Sequence, residues 1–369
     1  MHSTQRPIVF GQVASLSGSN YMGSENRDGS ELAVAQLNDA GGVLGRPVAL
    51  CIEDDRSMPQ GAVEAYRRLV EHGAVAVIGT SFSNASLAVL EHTDRLRVVY
   101  VSTGAAHTQV APVWPYVFMT PPTGHLVATQ LLRYLSDSGV GELAVVFDAD
   151  SAFNREAWAA QQDMLERFGI EAVTVQAVRV NTENFEPTLA AVADSPAQAV
   201  MAWVTGPPAT GLARAFRAAG VDIPLVAGLG AASPAFVSEV GAAADGIVVA
   251  TSLVSVRADL PPSAICTAID SFTEPFQRHH GIAPSQFAVD GYTATMLIAA
   301  AVEAAGSEAP DVIRAAMESL SCSTPEGEYH FSATDHSGLV ADDVAVAIIR
   351  DGNFRLTQWS RDRLRTHLA

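Results

Sequence analysis

The sequence predicts an α/β protein of two Rossmann-like lobes, each a parallel sheet wrapped by helices. Three observations predict it. Short apolar runs alternate with amphipathic stretches through the first part of the chain, a proline-rich break follows, and the alternation then resumes. Buried parallel strands read as continuous apolar runs, and the helices between them carry apolar residues three and four apart.

The first run places strands at 7–14, 48–53, 75–78 and 98–102, with helices at 26–39, 60–71 and 84–96. The segment 111–123, APVWPYVFMTPPT, holds four prolines in thirteen residues. Proline lacks an N–H and fixes φ, so this segment is expected to stop both helix and ladder. The second run places helices at 124–136, 154–168, 184–193 and 209–219. Its strands are 143–147, 172–178, 199–204 and 225–227, with a short one at 246–250. Beyond Thr251 three helices dominate, at 264–280, 285–305 and 310–320. The tail 327–359 reads as strands and turns, clearest at 344–349. A helical segment returning so late implies that the chain crosses between lobes more than once.

Composition excludes several chemistries. All 22 basic residues are arginine, against 40 acidic ones, for a net charge of −18. Without lysine there is no Schiff base, no phosphate-loop lysine and no lysine–glutamate pair of a kinase. The acidic balance argues against nucleic acid and against an anionic membrane surface as partners. No uninterrupted apolar run is long enough for a membrane span, and none precedes the first strand as a signal peptide would. Whether a signal was trimmed or the protein is cytoplasmic stays open. Cys51, Cys266 and Cys322 lack metal-ligand spacing. Cys266 and Cys322 either pair or, like Cys51, stay buried thiols. His279, His280, His330 and His336 also lack that spacing and read as surface or structural histidines. The sequence gives no catalytic residue, no metal site and no cofactor loop.

Binding residues are expected where strands run into helices. The string 75–84, VAVIGTSFSN, is a strand, a glycine and then the hydroxyls Ser81 and Ser83 opening a helix. The string 98–107, VVYVSTGAAH, repeats the theme with Ser102 and Thr103. In an open parallel sheet, ligands lie beyond the carboxyl ends of the strands, where helix N-termini offer free N–H groups. Ser83 and Ser102 therefore either bind ligand or merely cap helices. His107 adjoins the second string and is a further candidate. Asp54 and Asp55 read as loop polarity or helix capping, because the glycine fingerprint of a dinucleotide site is absent. The run Gly41-Gly42…Gly45 suits a helix end that needs positive φ.

These strings, taken in order, resemble the leucine/isoleucine/valine-binding family of type I periplasmic binding proteins, the solute receptors of ABC importers. The matching pieces are Ser17-Gly18, Leu32-Ala33…Leu37-Asn38…Gly41-Gly42…Gly45, Asp54-Asp55 and Ala76-Val77-Ile78-Gly79. They continue with Ser102…Gly104-Ala105, Asp290-Gly291-Tyr292 and Gly327-Glu328-Tyr329-His330-Phe331…Asp335-His336. The resemblance spans essentially the whole chain. It implies two lobes joined by three crossovers, with lobe I at 1–120 plus 252–327 and lobe II at 121–251 plus 328–369. It also implies a small ligand trapped between the lobes by hinge closure, a partner permease in the membrane, and a periplasmic or extracellular station.

Carried over residue by residue, the resemblance assigns the ligand carboxylate to Ser83. It assigns further hydroxyl and N–H donors to Ser102, Thr103, Gly104, Ala105 and Ala106. Tyr21 or Met22 would cover the ligand from the first loop, and Phe153 from the second lobe. Two departures matter. Amino-acid binders of the family place a hydroxyl where Ala106 falls, and a carboxylate for the ligand ammonium where Leu229 falls. An aromatic is also replaced near Gly206-Pro207. A buried ammonium without an anion costs several kcal/mol. The expected ligand is therefore an apolar or aromatic acid, or a neutral amide, and not an α-amino acid. The competing readings are a ligand sensor on the same fold and an α/β enzyme; the enzyme lacks a nucleophile, base or cofactor loop.

Overall fold

The structure, a computed structural model, describes residues 6–18 and 22–368. The chain forms two compact units: Met1–Pro121 with Ala268–Leu339, and Pro122–Thr267 with Val340–Ala369.

The first unit opens with β1 (Ile8–Ala14), α1 (Met22–Asp39), β2 (Val48–Asp54) and α2 (Pro59–Glu71). It continues with β3 (Ala76–Ile78), α3 (Ser83–Leu96), β4 (Val99–Ser102) and β5 (Val117–Met119). The five strands are parallel, in the order β2-β1-β3-β4-β5. The chain moves outward from β1 to β2 and then in the opposite direction from β3 onward. That reversal leaves a crevice at the carboxyl ends of β1 and β3, where open α/β sheets hold ligands. β5 corrects the expectation that the prolines stop the ladder. Pro112, Pro115, Pro121 and Pro122 flank the strand and do not interrupt it. It is an edge strand, which tolerates such neighbours.

The second unit runs through α4 (Gly124–Asp137), β6 (Glu142–Asp148), α5 (Ala152–Met164), β7 (Glu171–Val178), α6 (Glu186–Ala193) and β8 (Ala199–Trp203). It continues with α7 (Pro207–Ala218), β9 (Leu225–Ala227), α8 (Pro234–Val240) and β10 (Val248–Thr251). The chain then returns through α9 (Ala264–His280), α10 (Gln286–Ala305), α11 (Pro310–Met317) and the hairpin β11 (Ser321–Thr324) and β12 (Gly327–His330). It ends in β13 (Ala345–Arg350), β14 (Asn353–Leu356) and α12 (Gln358–His367). The large sheet has the order β14-β13-β10-β9-β8-β6-β7, so its chain reversal lies between β6 and β8. It is not wholly parallel: β13 runs antiparallel to β10, and β14 to β13.

Two margins of the units differ from the expected lobe limits, each for a local reason. Residues 252–267 pack with the second unit, where Asp259 accepts the Leu356 N–H (2.8 Å) and faces Arg355 and Arg361. Residues 328–339 pack with the first unit. There the Met119 N–H donates to the His336 carbonyl (3.1 Å), and the His336 ring, stacked on Phe118, lies 2.7 Å from the Val117 carbonyl through Nδ1. His336 is thus a buried structural histidine. All three cysteines are free thiols; Cys266 is buried, whereas Cys51 and Cys322 are only half-buried.

At the end of α1 the Gly42 N–H donates to the Leu37 carbonyl (2.8 Å) with φ +82°, and a Cβ there would lie 1.8 Å from the Arg46 carbonyl oxygen. Only glycine fits that turn. α1 and α10 cross through glycine as well. A Cβ at Gly291 would fall 2.0 Å from the Asn26 carbonyl, and one at Gly29 1.8 Å from that of Ala288. The Ser30 hydroxyl sits 3.1 Å from both the Asn26 and the Gly291 carbonyls.

α10 also brings Asp290 to Glu326, both buried and hydrogen-bonded to each other. The Tyr329 hydroxyl reaches the Thr120 carbonyl and the Glu326 carboxyl (3.0 Å). One phenol proton satisfies only one of these, so a carboxyl proton must complete the chain. Accordingly burial, then the charge and hydrogen bond of Glu326, hold the Asp290 carboxyl well above its usual range.

Candidate functional site

The carboxyl edge of the first sheet is built from three loops. The loop after β1 is anchored by Asp54. Its carboxylate accepts the Leu16 N–H (3.0 Å), the Ser17 hydroxyl (2.6 Å) and the Arg56 N–H (2.8 Å). Partial burial pushes this carboxyl up, but the bonds from Ser17, Arg56 and Leu16 outweigh it and hold it below the usual carboxylate range. Asp55 accepts the Ser57 N–H (2.7 Å). Neither acid caps α2, whose N-cap is Met58. Tyr21 lies outside the described residues. Met22, half-buried, opens α1.

The loop after β3 carries Thr80, Ser81 and Ser83. Thr80 Oγ1 lies 3.0 Å from Ser15 Oγ, which ties the ends of β1 and β3 together. Ser81 bonds Asn26 Oδ1 and lies 3.2 Å from Thr103 Oγ1, so it bridges to the loop after β4. Ser83 is the first residue of α3. The capping position is Phe82, which has no side-chain cap, so the capping reading of Ser83 does not hold. The residue is buried, and its hydroxyl makes no hydrogen bond among the described residues. A Cβ on Gly104 would lie 3.2 Å from it, which places it against the neighbouring loop.

The loop after β4 is organised by Gln109, fully buried. Its Nε2 donates to the Gly104 carbonyl (2.8 Å) and the Ala106 carbonyl (3.2 Å), and its Oε1 accepts from Ser102 (2.6 Å) and Ser86 (2.5 Å). Ser86 also meets Tyr100 OH and Ser102 Oγ, each at 2.9 Å. Ser102 therefore caps no helix, and its proton is engaged within the protein. Carbonyl and N–H of one peptide plane point in opposite directions. With the Gly104 carbonyl turned to Gln109, the Ala105 N–H faces away from it. Among the described residues the Ala105 and Ala106 N–H groups make no hydrogen bond. Ala106 is buried, and half-buried His107 opens the turn His107–Gln109. Ser81, Ser83, Thr103, Gly104 and Ala105 thus come together on two adjoining loops.

The carboxyl edge of the second sheet carries large apolar side chains. Phe153, at the start of α5, meets the buried Trp203 edge-on with ring centroids 6.2 Å apart. Trp203 Nε1 donates to Gln161 (2.7 Å). Across the chain reversal, Asn154 Nδ2 donates to Thr205 Oγ1 (3.2 Å). Leu229 is buried in the turn after β9. The acids that close β6 serve their own loop: Asp148 accepts the Asp150 N–H (2.9 Å), and Asp150 pairs with Arg179 (2.6 Å). Among the described residues, no group of three or more His, Cys, Asp or Glu is placed to hold a metal ion.

A family model described as periplasmic binding protein matches residues 7–353. The chain belongs to the periplasmic binding protein family. It is a type I member of the leucine/isoleucine/valine-binding group. It is 21% identical, over 94% of its length and 88% of the relative's, to a leucine-, isoleucine-, valine-, threonine- and alanine-binding protein of Pseudomonas aeruginosa. Two solved structures share the fold. One is a branched-chain amino acid transporter substrate-binding protein of Streptococcus pneumoniae in complex with isoleucine. It has a TM-score of 0.84 at 20% identity, covering 95% of this chain and 99% of that one. The other is an ABC transporter solute-binding protein of R. palustris in complex with benzoate. Its TM-score is 0.83 at 23% identity, covering 95% of each chain.

Sequence reasoning missed Asn26, Ser86 and Gln109 in this periplasmic binding protein. A signal for Asn26 exists: Gly23, Asn26, Gly29, Ser30 and Ala33 form a small, buried stripe on α1. Small residues spaced three and four apart mark a helix face pressed close to a neighbour.

Proposed function

We propose that this periplasmic binding protein is the non-catalytic solute receptor of an ABC importer. Its ligand is a small apolar or aromatic molecule ending in a carboxylate or an amide, without an ammonium group. The observation that carries the reading is the unengaged Ser83 hydroxyl beside a loop whose Ala105 N–H is also unengaged, together with a 227–230 turn in the second unit that carries Leu229 and no acid. Hydroxyl and N–H donors hold an oxygen of the ligand. Phe153 and Leu229 supply apolar surface, and Met22 and His107 stand beside the polar loops. A relative that binds benzoate supports an acid without ammonium; one that binds isoleucine marks the alternative. Names of relatives that speak of periplasmic and extracellular proteins support a station outside the cytoplasm, with a membrane permease as partner.

Isothermal titration with leucine, benzoate and short amides tests this. An acid or amide is expected to bind at least about a hundredfold more tightly than leucine, because an unpaired buried ammonium costs several kcal/mol. Tight leucine binding overturns it.

A further inference from the structure

Two buried amides are oriented by backbone carbonyls, and their orientation fixes where the loop hydroxyls send their protons. Asn26 Nδ2 faces the Phe287 carbonyl (2.5 Å). A carbonyl only accepts, so the atom facing it must be the NH2 group, and Oδ1 must face Ser81 and Thr103. Ser81 Oγ donates to that Oδ1. The Thr103 proton has the Gly79 carbonyl and Ser81 Oγ at 3.2 Å and Asn26 Oδ1 at 3.4 Å, all of them acceptors within the protein. With these bonds formed both hydroxyl protons point inward, and Ser81 keeps a lone pair for the site. Gln109 does the same for Ser86 and Ser102. The Ser83 proton, by contrast, has no acceptor among the described residues. The site thus offers donors at Ser83 and Ala105 beside an acceptor at the half-buried Ser81.

We infer that Asn26 is a specificity-determining positioning residue: by taking the Ser81 proton it makes the site select a ligand end that carries a hydrogen-bond donor beside its acceptor, a carboxamide in preference to a bare carboxylate. The inference rests on the ligand class proposed above and divides it. A carboxylate brings only lone pairs to Ser81, and two facing acceptors repel. An amide offers its carbonyl to Ser83 and Ala105 and its N–H to Ser81.

The test is calorimetric titration of matched pairs at pH 7: acetate and acetamide, isovalerate and isovaleramide, benzoate and benzamide. In the wild-type protein the amide of the binding pair is expected to win by about tenfold, the scale of one well-placed hydrogen bond. Asn26→Leu frees the Ser81 proton and is expected to shift the amide-to-acid ratio toward the acid by about tenfold. Ser81→Ala is expected to fold normally and to weaken the amide several-fold more than the acid. A wild-type preference for the acid overturns this inference alone. An unchanged ratio in Ser81→Ala does the same, even where Asn26→Leu fails to fold. Failure of every pair to bind overturns the proposed ligand class, and this inference with it.

Discussion

At the carboxyl edge of the first sheet stand Ser15, Thr80, Ser81, Ser83, Ser102 and Thr103; at that of the second the large apolar side chains of Phe153, Trp203 and Leu229 stand beside Asp148, Asn154, Thr205 and Thr251. Both edges lie at a chain reversal of a doubly wound sheet, so topology alone offers a ligand crevice twice. The first edge is kept in shape by directional bonds to buried amides, so its chemistry depends on where each proton goes. The second is kept in shape by aromatic packing and depends on volume. A polar loop fixes a ligand's orientation, and an apolar one rewards its size.

Four changes would break or sharpen this contrast. The largest effect is expected at the apolar edge. Phe153→Ala removes one face of the Trp203 contact and should cost about 3–5 kcal/mol of stability, as for other buried phenylalanines. Urea unfolding measures it, and a loss near zero would remove Phe153 from the core. Next comes Gln109→Leu, which takes one hydrogen bond from each of two carbonyls and two hydroxyls of the polar edge; it should cost about 2–4 kcal/mol, at about 1 per lost bond with partial relaxation. The same variant should lose ligand affinity, because the Ala105 N–H is no longer aimed.

Ser83→Ala comes third. It should weaken ligand binding by about 1–3 kcal/mol while leaving stability within about 0.5 kcal/mol, since the hydroxyl has no partner in the protein to lose. Titration calorimetry beside thermal melts separates the two; unchanged affinity would take Ser83 out of the site. The smallest effect is a slope. Burial and the neighbouring Glu326 raise the pKa of Asp290 in the folded protein above its unfolded value. The folded protein then binds more protons, and this contribution to stability is complete below the unfolded pKa and lost as pH rises through the folded one. Melting temperatures from pH 4 to 8 should fall more steeply for the wild type than for Asp290→Asn. Parallel curves would contradict the carboxyl proton.

Apolar runs made most strands legible, because a buried parallel strand has no polar side to hide its signal. β5 was hidden by prolines that turn out to flank an edge strand. α12 was hidden by its charge: of QWSRDRLRTH, only Ser360 and Leu364 are buried. The site was half legible. Strand-to-helix hydroxyls marked the right loops, yet Ser83 and Ser102 look alike in sequence and differ in whether their proton is already engaged. What separates them is Gln109 for one and nothing for the other, a distinction made by folded geometry. Asn26 lay further from view, since its amide is oriented by a carbonyl 261 residues away.

That distance has a consequence for how the protein is made. The segment carrying Phe287, Ala288 and Gly291 leaves the ribosome after the first 285 residues have been synthesised, and a domain assembles only when its non-local partners are present. Residues 122–267 of the second unit are complete in sequence by then. The first unit, although it begins the chain, waits for α10 to seat against α1 before Asn26 can take its orientation. The polarity of its loops is among the last properties the nascent protein acquires, and truncation before residue 286 should leave β1 to β5 without it.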